Sequence, residues 1–86
     1  MMQVQYEAQA VKSLRKLPAN LRNRIRSKIE QYAEDPMSLA NNVIQLTNSD
    51  LFRLRVGDYQ VIFAIGQNTV TIMVVIDVRP RGGAYD

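Results

Sequence analysis

An α+β fold is predicted, in which a two-helix hairpin packs on one face of an antiparallel sheet and the elements run βααβββ. Three observations predict it. The apolar period changes from alternation to helical spacing after Tyr6, and back to alternation after Asp50. Asp35-Pro36 closes the helical region, because proline pushes the preceding residue out of helical geometry. One strand register then gathers the apolar side chains of the last three strands onto a single face.

Taken in order, MQVQY at residues 2–6 alternates and forms the first strand. In EAQAVKSLRKL, Ala10, Val11, Leu14 and Leu17 recur at helical spacing, with Lys12, Arg15 and Lys16 mostly on the other side. Pro18 separates this helix from the next. Leu21, Ile25, Ile29, Tyr32 and Ala33 make one apolar stripe on a second helix, with Asn20 as its expected N-cap. So short a join predicts a hairpin. Residues 37–49 carry no firm period and are expected to form a loop, with a short helical turn or a short strand near Val43 to Leu46. Three strands follow: LFRLRV, YQVIFAI and TVTIMVVIDV, then the tail RPRGGAYD.

A two-residue turn at Gly57-Asp58 sets Val56 opposite Tyr59, Arg55 opposite Gln60, Leu54 opposite Val61 and Arg53 opposite Ile62. A second two-residue turn at Gln67-Asn68 sets Ile65 opposite Val70. The core face then holds Phe52, Leu54, Val56, Tyr59, Val61, Phe63, Ile65, Val70, Ile72, Val74, Ile76 and Val78, all apolar or aromatic. Such a face argues that a one-residue slip would be costly. The outer face holds Arg53, Arg55, Gln60, Ile62, Ala64, Thr71, Met73, Val75, Asp77 and Arg79.

A chain of 86 residues is enough for one domain, expected over 1–86, and its core must be compact. With no cysteine and no histidine, disulfides, thiol chemistry and histidine acid–base routes are excluded, and a transition-metal site is argued against. The net charge is +3, and Lys12 to Lys28 holds seven Lys or Arg without an acid. This favours a polyanionic partner, although a basic helix face is commonly just solvated. The absence of a signal peptide or membrane-length apolar run leads us to expect a cytoplasmic protein. Arg53 and Arg55 read equally as outward residues that keep a sheet soluble. Beside a polar amide and near a single acid, they also fit a phosphate site, since the guanidinium fork matches phosphate oxygens.

The element order, DLFRLRVGDYQVIF and the ending RPRGGAY together resemble the RelE/ParE superfamily of toxins from type II toxin–antitoxin systems, over essentially the whole chain. RelE-like members cut messenger RNA in the ribosomal A site, and ParE-like members act on DNA gyrase. The tail favours the RelE-like branch. In that branch basic residues on the strand after the helices combine with an arginine and a tyrosine near the C-terminus. Arg53, Arg55, Arg81 and Tyr85 match them and are the catalytic set that the resemblance implies. By position alone Tyr85 reads as a terminal residue without a role, and only the resemblance gives it one. The residue after Tyr59 is commonly arginine in the family, and here it is Gln60, which donates to phosphate without adding charge.

The resemblance implies a ribosome-dependent endoribonuclease, with no cofactor and no metal, that leaves a 2′,3′-cyclic phosphate and inhibits translation. The alternatives are a ParE-like gyrase inhibitor and a catalytically weakened binding module. Gln60, Arg79, Arg22, Arg26 and Lys28 are the expected RNA contacts. Ile62, Met73 and Val75, on the apolar part of the outer face, need a cover. The loop at 37–49, the tail or a cognate antitoxin would supply it, and the antitoxin in a hetero-oligomer is the expected contact. The ribosome and mRNA are the other expected partners, and no membrane is involved.

Overall fold

The computed structural model describes residues 1–67 and 69–80. The strands are β1 (Gln3–Tyr6), β2 (Val43–Gln45), β3 (Phe52–Val56), β4 (Tyr59–Gln67) and β5 (Thr71–Pro80). The helices are α1 (Ala8–Arg15) and α2 (Ala19–Glu34), and a 3₁₀ segment spans Pro36–Asn42. The strands form one sheet in the order β1-β5-β4-β3-β2. The β1–β5 pair is parallel and the others are antiparallel, so the sheet is mixed.

The expected stripes make the core. Ala10 and Leu14 of α1 and Ile25, Ile29 and Ala33 of α2 are buried against Leu54, Val56, Val61 and Phe63. Each large side chain buried there stabilises the fold by about 1.5–3 kcal/mol. Phe63 is fully buried, with Tyr32 and Phe52 ring centroids 5.2 and 5.5 Å away. Asp35 caps α2 at its C-terminus and Pro36 opens the 3₁₀ turn, as Asp-Pro predicts. The α2 N-cap is Pro18, not Asn20, and it makes no side-chain cap bond. Asn20 lies inside the first turn.

The β3–β4 hairpin has the expected register, with Val56 opposite Tyr59 and Arg55 opposite Gln60. Gly57 takes φ 57°, the region required at the first position of a type II′ loop. The β4–β5 register differs from expectation. Gln67 pairs with Thr71 and Ile65 with Met73, so the connection is longer than two residues. A bulge follows: Ile62 pairs with Asp77 and Phe63 with Val75, leaving Ile76 without a partner.

These departures correct the faces of β5. The displacement is odd up to Val75, so Met73 and Val75 turn inward and are 0% exposed, while Ile72 and Val74 turn outward, half-buried. Val70, expected in the core, is 42% exposed. The bulge adds one residue and restores parity. Val78 is therefore in the core, with Asp77 and Arg79 on the outer face, as expected. Without the bulge, Asp77 and Arg79 would fall on the register positions of the core face.

Candidate functional site

Three strands carry the site. They set Arg55, Gln60 and Arg79 as successive partners in one row of the outer face, and Arg53, Ile62 and Asp77 in the next. Strands lie about 4.8 Å apart, so Arg55 and Arg79 are anchored about 10 Å from each other with Gln60 between them. Arg55 is exposed and Arg53 half-buried.

Gln60 is 1% exposed, and neither its amide nitrogen nor its oxygen has a hydrogen-bond partner among the described residues. A buried amide left unpaired costs about 1–3 kcal/mol. A ligand oxygen or donor reaching this amide would recover that cost, and the flanking guanidinium groups select an anionic ligand.

Asp77 is 6% exposed. Its Oδ2 accepts from Arg79 Nε at 2.8 Å, and its Oδ1 accepts from Ser13 Oγ at 2.6 Å and from the Val78 N–H at 2.8 Å. Burial alone would raise the Asp77 carboxyl. The hydrogen bonds from Ser13, Arg79 and the Val78 N–H, with the Arg79 charge, outweigh it and hold the pKa below the ordinary 3.8. Sequence reasoning noted Asp77 only as a nearby acid. Ser13 carried no signal at all, since its partner is 64 residues away.

The helix cations stand on α2, a different element from the strands of this row. Arg22 and Arg26, one turn apart, line a cavity of about 280 Å³ with Arg15, Tyr6, Val11 and Leu14. Arg22 Nη1 donates to the Leu17 carbonyl at 3.3 Å, and the Arg26 guanidinium lies 5.9 Å from the Tyr6 ring centroid. Burial raises the Tyr6 hydroxyl above 10.0, with Arg26 pulling the other way. Lys28 sits about 200° around the helix from Arg26, where its Nζ donates to Gln31 Oε1 at 3.4 Å. The fold thus groups Arg22 with Arg26 and sets Lys28 apart.

Of the other expected site residues, Arg81 and Tyr85 lie outside the described residues. Ile62 holds its outer register position, 5% exposed. Met73 and Val75 are excluded as surface contacts for a partner, because they are core residues. Ile72 and Val74 occupy the outer positions instead. The period could not reveal this, because β5 is apolar at both parities.

Comparison with known proteins adds the family. The family described as "ParE toxin of type II toxin-antitoxin system, parDE" matches residues 4–85. Among solved structures, RelE in the RelE–RelB complex of Pyrococcus horikoshii is 29% identical, with 96% of this chain and 98% of that chain covered and a TM-score of 0.78. The intact RelBE toxin–antitoxin complex of E. coli contains a chain 20% identical, covering 96% and 100%, with a TM-score of 0.75. A YoeB/ParE toxin from Agrobacterium tumefaciens is 11% identical, covering 94% and 100%, also with a TM-score of 0.75. No curated protein matches.

Proposed function

Since the chain belongs to the ParE toxin family, within the RelE/ParE superfamily of type II toxin–antitoxin toxins, we propose that it acts as an endoribonuclease that cuts ribosome-bound messenger RNA and arrests translation. The observation that carries this reading is the Arg55–Gln60–Arg79 row, with its buried, unpartnered amide between two guanidinium groups. RNA supplies its own nucleophile, the 2′-hydroxyl. In-line attack on the adjacent phosphorus breaks the bond to the 5′-oxygen and leaves a 2′,3′-cyclic phosphate and a 5′-hydroxyl. The protein must position the strand, neutralise the phosphorane and handle protons.

Arg55 and Arg81 neutralise the scissile phosphate, each such donor being worth about 3–4 kcal/mol of transition-state stabilisation. Arg53 and Arg79 hold neighbouring phosphates, and Gln60 donates to the strand between them. Tyr85 stacks on a base or exchanges a proton. The helix cations Arg22, Arg26 and Lys28 contact ribosomal RNA phosphates. Ile72 and Val74 form the outer apolar area on which a cognate antitoxin segment docks, with Ile62 buried beneath rather than offered to it, in keeping with the toxin–antitoxin complexes formed by the RelE relatives.

Two tests check this. Induction in cells is expected to stop translation quickly, with mRNA cut between codon positions. The second reading, gyrase inhibition, is favoured by the ParE description of the matching family and predicts an SOS response with intact mRNA. That outcome would sink the ribonuclease. In the second test, Arg81→Ala with Tyr85→Ala is expected to abolish cleavage, by about 10²-fold or more, while leaving the melting temperature and antitoxin binding close to wild type. Persistent cleavage in that double variant would remove both residues from the site.

A further inference from the structure

Resting on the ribonuclease reading, we propose that Asp77 and Ser13 are positioning residues: a Ser13–Asp77–Arg79 relay fixes the Arg79 guanidinium on the outer face as a phosphate-orienting group beside Gln60. The relay is continuous in hydrogen bonds. Gln9 Nε2 donates to Ser13 Oγ at 3.3 Å, Ser13 Oγ donates to Asp77 Oδ1 at 2.6 Å, and Arg79 Nε donates to Asp77 Oδ2 at 2.8 Å. The Val78 N–H, 2.8 Å from Oδ1, locks the carboxylate to its own strand. Asp77 thus has both oxygens engaged and almost no exposure to water.

The arrangement orients a cation. Arginine carries a large rotamer entropy, which a phosphate contact must overcome unless the side chain is held beforehand. Asp77 engages Nε, one of the five donors of a guanidinium, and so fixes the plane of the fork. A carboxylate that served only to tie α1 to β5 would need Ser13 alone. The second oxygen goes instead to Arg79, whose side chain is one-third exposed.

The backbone supports the same assignment. The bulge opposite Ile62 and Phe63 re-aims the end of β5, so that Asp77 and Arg79 leave the core face together and Arg79 pairs across from Gln60. The uncharged Gln60 amide is thereby flanked by a guanidinium on each neighbouring strand, one of them anchored. α1 sets the anchor, so the helix hairpin contributes to the outer-face site through a side chain rather than by covering it.

The test is made on the full chain with Asp77→Asn, Ser13→Ala, Arg79→Lys and the double variant Asp77→Asn/Arg79→Lys. Two measurements are made: solvent exchange of the Arg79 Nε–H by ¹⁵N NMR, and steady-state kinetics, giving kcat and KM, for cleavage of ribosome-bound mRNA. The relay predicts a protected Arg79 Nε–H that Asp77→Asn exposes and Ser13→Ala partly exposes. It also predicts that Asp77→Asn lowers kcat/KM by about tenfold in the wild-type background, within the range of coupled contacts, and costs nothing further once Arg79 is Lys. If Asp77→Asn costs the same fold with Arg79 already replaced, or leaves the Nε–H exchange unchanged, Asp77 is a structural brace and the relay is overturned. Ser13→Ala keeps the question open to measurement should Asp77→Asn fold poorly. A wild-type chain that cuts no mRNA removes the ribonuclease reading alone, because Nε–H exchange still decides whether Asp77 holds Arg79.

Discussion

At the scale of single residues, two buried polar side chains on the outer face behave differently. Asp77 is satisfied by Ser13, Arg79 and the Val78 N–H. Gln60, equally withdrawn from water, has no partner among the described residues. The first therefore stabilises the fold and the second costs stability. Because the Asp77 pKa is held below 3.8, its contribution is complete above the ordinary carboxylate range. It is lost as pH falls below 3.8 through the lower native value. The difference in melting temperature between wild type and Asp77→Asn should accordingly be constant near pH 6 and shrink toward pH 3. A gap that widens in acid would contradict the lowered pKa. Gln60→Met replaces the unpaired amide by a similar apolar volume. It should stabilise the chain by about 1 kcal/mol, a rise of about 4–8 °C in melting temperature, while weakening RNA cleavage. A fall in melting temperature would show that the amide is satisfied in solution.

Among the elements, β5 decides where the site lies. Its apolar residues stand at both parities, and the bulge divides it into a half that buries Met73 and Val75 and a half that presents Asp77 and Arg79. The division can be measured. Met73→Ala should cost about 2–5 kcal/mol in denaturant unfolding, as truncation of a fully buried side chain does. Ile72→Ala, on the half-buried outer side, should cost clearly less. The reverse order would restore a β5 register without the extra residues. The helices need no such device, since the 3.6-residue period of Ile25, Ile29 and Ala33 leaves one face to bury.

On the scale of the whole molecule, two groups of cations stand on different elements: Arg53, Arg55 and Arg79 on the outer face of the sheet, and Arg22 and Arg26 on α2. A single strand of RNA held on the outer face touches only the first. Arg55→Ala should lower the slope of log K against log salt for a short single-stranded RNA by about 0.7, one phosphate's worth of released counterion. Arg26→Ala should leave that slope unchanged and weaken only binding to the ribosome. Equal effects from the two variants would mean that short RNA does not discriminate between the two groups. No helix among the described residues is long and apolar enough to cross a membrane.

The sequence by itself determined the two helices, their apolar stripes, the stop at Asp35-Pro36 and the β3–β4 register. In each case the information is local. A helical period, a proline or a Gly-Asp turn acts within a few residues, and the polar Arg53, Arg55 and Gln60 allow only one outward face. Only the tertiary structure decided the face of Met73 and Val75, the satisfaction of Asp77 by Ser13, and the withdrawal of Gln60 from water. The alternation in β5 is silent because both of its faces are apolar, so loop length and a bulge choose between them. The Ser13–Asp77 contact joins residues far apart in the chain, and burial depends on what the folded chain lays over a side chain. Neither is written in any short stretch of sequence.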